Sequence, residues 1–426
     1  MPDPIAIVNG EGVYLIDEDG NKYIDAISSW WVNLHGHAHP YIAEKIFEQA
    51  KKLEQVIFAG FTHEPAILLA ERLLPILPGA FSKIFYSDNG STSTEVAIKM
   101  ALQYWWNRGK SEVGSNESGP GSWESEVGSR EPTAGIRIRN KILAFNNSYH
   151  GDTFGAMSIS DRSVFTLAFH EKLFEVVFID APESPEAPLP PIDWNSIACF
   201  IYEPLIQGAG GMKIYSAAGL NQLLQKCKEH SIICIADEVM TGFGRTGKLF
   251  ASEFCENKPD IICLSKGLTG GTMALGVTAC SQKIHDAFVS DDKLKTFFHG
   301  HSFTANPLAC TAALASLDLL QEKACGIALN NIIEKNRGFL QQLQNAHHKI
   351  STRNHRTLGT ILAFEMDIGK DEYLNTISTT ITRQALNKGV YIRPLGNTVY
   401  IMPPYCISPA QLEKVFRIII EILNGS

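Results

Sequence analysis

Lys266 stands at the end of an apolar run, Ile261-Ile262-Cys263-Leu264, followed by Ser265 and preceding Gly267. An ammonium there is costly to bury unless it is paired or put to chemical use. A desolvated lysine gives up its proton readily, and the free amine can attack a carbonyl carbon. Two other apolar runs also end on a polar group. Ala198-Cys199-Phe200-Ile201-Tyr202 ends at Glu203, and Ile232-Ile233-Cys234-Ile235-Ala236 ends at Asp237. Asp88-Asn89-Gly90-Ser91-Thr92 offers a different kind of group. It follows Ile84-Phe85-Tyr86 and opens a helical pattern, with Thr92 and Glu95 matching a capping box. Gly90 lets another group approach the backbone, and a helix N-terminus presents free N–H groups to an anion. An amine, an acid able to keep a pyridinium nitrogen protonated and an anion cradle are the three things pyridoxal 5'-phosphate requires.

Two louder patterns have plainer explanations. Gly242-Phe243-Gly244-Arg245-Thr246-Gly247-Lys248 satisfies G-x-G-x-x-G and almost satisfies a P-loop, but Leu249 stands where Ser or Thr would hold Mg²⁺. Asp237-Glu238-Val239-Met240-Thr241 separates it from the preceding strand, so a glycine-bent loop beside the site is expected instead of a nucleotide cradle. His35-Gly36-His37-Ala38-His39 alternates histidines, but no Cys, Asp or Glu cluster accompanies it to close a metal set. A polar loop lining a site is expected there, and no metal.

The elements that must position these groups follow from periodicity. The three apolar runs are short and continuous, and helical patterns separate them, which predicts parallel strands covered on both faces. Ligand sites in such sheets lie beyond the carboxyl ends of the strands. Val13-Tyr14-Leu15-Ile16, bracketed by turn residues, predicts a small hairpin region. Helices are predicted from Pro40 and around Leu68 to Leu74. Residues 110–135 are half Gly, Ser or Pro, and Ser111-Glu112-Val113-Gly114-Ser115 recurs as Ser125-Glu126-Val127-Gly128-Ser129. A flexible surface insertion is expected.

Of the 426 residues, 45% are hydrophobic, which predicts a globular chain. Against 37 basic residues stand 45 acidic ones, a net charge of −8 without a basic block, so no nucleic-acid partner is expected. No apolar stretch reaches the ~20 residues of a membrane helix, and no signal peptide is expected from Met1-Pro2-Asp3-Pro4. The nine cysteines are scattered with no Cys-x-x-Cys pair. They read as reduced core residues of a cytoplasmic protein.

The stretch from Asp237 to Gly247, followed by Leu264-Ser265-Lys266-Gly267-Leu268-Thr269-Gly270-Gly271, resembles the signature of the class III pyridoxal-phosphate-dependent aminotransferases. The resemblance covers the chain apart from the insertion. It implies fold type I: a large, mostly parallel α/β domain over 44–311 and a smaller α+β domain from 1–43 and 312–426. Finer likeness points to the biotin-biosynthetic members, which aminate 8-amino-7-oxononanoate, usually with S-adenosyl-L-methionine and in some cases with lysine. Four stretches carry it: Ser28-Ser29-Trp30-Trp31 with His35-Gly36, Ser148-Tyr149-His150-Gly151-Asp152-Thr153, Gly270-Gly271-Thr272-Met273, and Arg393-Pro394-Leu395-Gly396 with Tyr400-Ile401-Met402-Pro403-Pro404-Tyr405.

The resemblance implies roles residue by residue. Lys266 holds the cofactor and shuttles a proton, Asp237 pairs with the pyridinium nitrogen, and Tyr149 lies against the ring. Gly90 and Ser91 bind the phosphate, which His301 and Ser302 complete from a neighbouring subunit of a homodimer. Trp30, Trp31, Tyr149, Gly300 and Arg393 contact substrate, with Arg393 on its carboxylate, and Glu203 supports the site from behind. The chain departs from the family where it starts after a His-Pro-Tyr-type segment. It also has Ser302 and Ala305 where relatives often have Thr and Gly. The alternatives are another class III enzyme, an ω-amino acid aminotransferase or an aminomutase, and a nucleotide-binding regulatory protein built around the 242–248 loop.

Overall fold

The computed structural model describes residues 4–112, 139–368 and 377–425. Its centre is a seven-stranded sheet in the order Phe81–Ser87, Gly276–Ser281, Ile261–Leu264, Ile233–Asp237, Ile197–Tyr202, Lys141–Phe145, Val177–Ile179. Neighbours are parallel except at Gly276–Ser281, which runs antiparallel to both its partners. The three apolar runs are the central strands, buried along their whole length.

Continuous apolar sequence is what a strand covered on both faces requires, because side chains alternate between the faces. Ile142, Ala144, Cys199, Ile201, Ile233, Ile235, Ile261 and Cys263 pack on one face with Val96, Ala97, Met100 and Tyr104 of the helix Gly90–Glu112. Leu143, Phe145, Phe200, Tyr202, Cys234, Ala236, Ile262 and Leu264 face the other way, towards Leu220, Leu223 and Leu224 of the helix Ala217–Glu229. Register sets Ala236 beside both Tyr202 and Ile262, so Glu203, Asp237 and Lys266 leave the sheet at the same edge.

The chain ends meet in a four-stranded sheet. Ile7–Glu11, Tyr14–Asp17 and Lys22–Asp25 form a meander, and Val390–Tyr391 adds to it in parallel. Thr352–Leu358, Ile361–Met366 and Thr398–Ile401 form an antiparallel sheet of three. The expected boundaries at 43/44 and 311/312 both fall within helices, Pro40–Ala50 and Pro307–Leu320, which pack on each other. The helix Gly90–Glu112 runs three residues into the expected insertion, and the remainder of 110–135 lies outside the described residues. All nine cysteines are free thiols and seven are buried. Among the described residues, no helix is long and apolar enough to cross a membrane.

Candidate active site

A cavity of about 630 Å³ opens beyond the carboxyl ends of the central strands. Lys266, Asp237, Glu203 and Tyr149 line it, as do Gly90 and Ser91 at the start of their helix and Trp31 from the N-terminal segment. Lys266 begins a short 3-10 turn, Lys266–Thr269, at φ +44°, the left-handed region, which carries the chain sharply away from the strand. Burial pushes its pKa down to about 8, while Asp237 and Glu203 pull the other way. Asp237 is 5% exposed and accepts from the Val239 N–H at 3.1 Å. Its other oxygen lies 2.7 Å from His150 Nδ1, and a carboxylate can only accept, so Nδ1 carries the proton. Glu203 accepts the backbone N–H groups of Tyr149 at 3.0 Å and Gly208 at 2.9 Å. Burial raises its pKa to about 7. Tyr149 also lines an adjoining cavity of about 420 Å³, together with Gly151 and Asp152.

Five of the sequence-derived residues do not line the larger cavity. Trp30 and Arg393 are exposed and stack on each other, the guanidinium carbon 4.4 Å from the ring centroid. Gly300, His301 and Ser302 lie on a neighbouring segment, where His301 Nδ1 is 2.8 Å from Asp88 Oδ2. Ala305 takes φ +55°, a conformation open to glycine and costly for alanine. His150 joins the site from within the Ser148 to Thr153 stretch, with no signal of its own in the sequence. Only its place next to Tyr149 points to it, because its contact with Asp237 spans 87 positions in sequence.

The capping box expected of Thr92 and Glu95 is corrected. Asn89 Oδ1 accepts the Thr92 N–H, and the Glu95 carboxylate accepts from Thr153 Oγ1 and from the N–H groups of Gly155 and Ala156. Glu95 therefore caps a different helix, Phe154–Ile159. The 242–248 loop turns its arginine inward. Arg245 is 1% exposed and donates to the backbone carbonyls of Asn33 and Pro403, both at 2.9 Å. Of the three alternating histidines, His35 pairs with Ser316 and His37 with Asp25. Among the described residues no cluster of three or more His, Cys, Asp or Glu is arranged to hold a metal.

The residues present fit pyridoxal phosphate. The amine of Lys266 and the carboxylate of Asp237 share one cavity with the helix N-terminus at Gly90. A Cβ on Gly90 would come 2.8 Å from Val239 Cγ1, and one on Gly151 would come 2.1 Å from Ser91 Oγ, so the backbone must stay bare at both positions. Ser91 Oγ accepts the Asp152 N–H at 3.2 Å, which leaves its own proton to donate. The first N–H groups of a helix have no partner within it. The model of the aminotransferase class-III family matches residues 1–423. The chain belongs to the class III aminotransferases.

Within that family, the chain is 42% identical to an adenosylmethionine-8-amino-7-oxononanoate aminotransferase of Synechococcus elongatus, covering 99% of this chain and 96% of the relative. A crystal structure of the enzyme of that name from Methanocaldococcus jannaschii superposes with a TM-score of 0.85 at 32% identity, covering 100% and 94% of the two chains. An amine transaminase from an uncultivated Pseudomonas species, solved in its PLP-bound form, matches at 0.81 and 27%, covering 99% and 94%. These class III relatives share the mostly parallel α/β architecture of fold type I.

Proposed function

We propose that this class III aminotransferase uses pyridoxal 5'-phosphate to transfer an amino group to 8-amino-7-oxononanoate, giving the 7,8-diamino acid of biotin biosynthesis. S-adenosyl-L-methionine is the proposed donor, as the names of the Synechococcus and Methanocaldococcus relatives indicate. The observation that carries the cofactor reading is the meeting of Lys266, Asp237 and the Gly90 helix start in one cavity.

When bound, pyridoxal phosphate supplies a conjugated ring that takes up the electron pair left as a substrate carbon loses its proton. Lys266 holds the cofactor through its amine. With a pKa of about 8 that amine both accepts and returns a proton near neutral pH. Asp237, fixed by His150 and the Val239 N–H, would pair with the ring nitrogen. Gly90 and Ser91 would donate to the phosphate, and Tyr149, its backbone tied down by Glu203, would hold the ring. Trp30, Trp31, Tyr149 and Gly300 contact substrate, and Arg393 binds its carboxylate with two parallel donors.

His301 and Ser302 reach the phosphate from a second copy of the chain. Exposed Ile57, Phe61, Phe298 and Phe303 support a homodimer, and a hydrogen bond from Gln55 to the Ser302 carbonyl ties their two segments together. The division into a large domain and a smaller one built from both ends is supported by the pairing of Val390 with Ile24 and Tyr391 with Asp25.

Borohydride reduction followed by mass spectrometry tests the cofactor reading. The pyridoxyl group is expected on the Lys266 peptide and absent in Lys266→Ala, which is expected to lose nearly all turnover. A pyridoxyl group on another lysine overturns the assignment. Diamine formation from 8-amino-7-oxononanoate, measured with adenosylmethionine and with lysine in parallel, tests the substrates. Absence of product with both donors reopens the choice among class III substrates.

A further inference from the structure

Four consecutive residues, Ser28, Ser29, Trp30 and Trp31, have φ of +54°, +45°, +69° and +73°. A left-handed turn of L-residues is costly and persists only where its surroundings over-determine it. Here they do. Asp25 accepts from the Ile27 N–H at 3.2 Å and from Ser29 Oγ at 2.7 Å. Ser28 Oγ donates to the Met402 carbonyl at 2.7 Å. The turn delivers the Trp31 indole, 3% exposed, into the cavity wall. Its Nε1–H donates to Tyr400 Oη at 3.0 Å, and the two rings meet edge to face, 6.1 Å apart at 70°. Lys266 Nζ sits 4.5 Å from the centroid of that indole.

We propose that Trp31 is a positioning residue for Lys266. Its indole face carries the free amine, and Tyr400 locks the indole in place. An aromatic face attracts an ammonium more strongly than an amine, and most strongly where water is excluded. Trp31 thus works against the burial that favours the neutral amine. The charged groups that also act on Lys266 are Asp237 and Glu203, which favour the ammonium, and Arg245, which opposes it. Arg245 also reaches the Trp31 backbone carbonyl, at 3.5 Å. The proposal rests on the reading of Lys266 as the working amine, and it assigns Trp31 a task beyond contacting substrate.

The test uses the full chain freed of cofactor. Trace labelling with acetic anhydride across a pH series, read by mass spectrometry of the Lys266 peptide, gives the pH of half-maximal reactivity. Trp31→Leu is expected to lower that half-point by about half a pH unit or more, judged from desolvated cation–π pairs. Tyr400→Phe, which leaves the indole present but unlocked, is expected to lower it by less. Trp31→Phe, which restores a ring face, is expected to lie between Trp31→Leu and the unaltered chain. A half-point that stays or rises in Trp31→Leu overturns the proposal. Should that variant not fold, an unchanged or raised half-point in Tyr400→Phe overturns it instead. The borohydride experiment is separate: cofactor on another lysine defeats the functional reading, whereas an unmoved half-point with cofactor on Lys266 defeats only this proposal.

Discussion

Glu203 is 6% exposed and accepts two backbone N–H groups, yet its pKa is raised to about 7, because burial outweighs those hydrogen bonds and the nearby His150. Folding therefore gains most from the protonated form. That contribution is fully present below the unfolded value near 4.5 and is lost as pH rises through 7. Glu203→Gln, neutral throughout, is expected to show a flatter pH dependence of melting temperature than the unaltered chain between pH 5 and 8. A parallel pair of melting curves across that range would show that the carboxyl is not strained by burial. Lys266 has the opposite sense. Its pKa falls from 10.5 to about 8, so the chain carries a penalty below pH 8 that is relieved as pH rises towards 10.5. Without cofactor, Lys266→Met is expected to be more stable at pH 7, by on the order of 3 kcal/mol. Denaturant titrations at pH 7 and pH 10 should show the advantage shrinking, and a constant advantage would place its origin in packing.

At the scale of elements, the clamp between the helices Gly90–Glu112 and Phe154–Ile159 ties the Gly90 side of the cavity to the Tyr149 side. Glu95 reaches from the first of these helices to cap the second, and Ser91 Oγ takes the Asp152 N–H. A Cβ on Gly155 would lie 2.1 Å from Glu95 Oε2. Gly155→Ala is expected to destabilise by about 1–3 kcal/mol, as overpacking does. It should weaken cofactor binding as well, since it disturbs both walls of one cavity. Chemical denaturation and a cofactor titration check this, and unchanged cofactor affinity would show that the clamp does not hold the site. Thr92 and Glu95 stand at capping-box spacing, but the partners of Glu95 were not legible, because Thr153 and Gly155 stand about sixty positions away.

At the scale of the molecule, Arg245 joins the large sheet's loop to both chain ends through the carbonyls of Asn33 and Pro403, with Tyr405 beneath its guanidinium at 4.9 Å. The glycines that imitate a nucleotide motif let the loop turn tightly enough to aim this arginine inward. The proposed homodimer is tested at this scale too. Phe61→Glu with Phe303→Glu should convert a dimer into a monomer by light scattering and abolish turnover. A double variant that remains dimeric would place the interface elsewhere.

The strands that end at Glu203, Asp237 and Lys266, and the helix that begins at Gly90, were legible because strand and helix periodicity is a local property of the chain. So was the oddity of the groups at their ends, since an amine or carboxyl at the end of an apolar run is unusual wherever it occurs. Tertiary structure alone decided which groups meet. His150 on Asp237, Trp31 under Lys266 and Tyr400 behind Trp31 join residues 87, 235 and 369 positions apart. Such contacts are set by sheet register and by a left-handed turn at Ser28 to Trp31 that no local preference favours. Contacts with Met402 and Tyr400 hold that turn from about 370 positions away, so only the folded chain could reveal it.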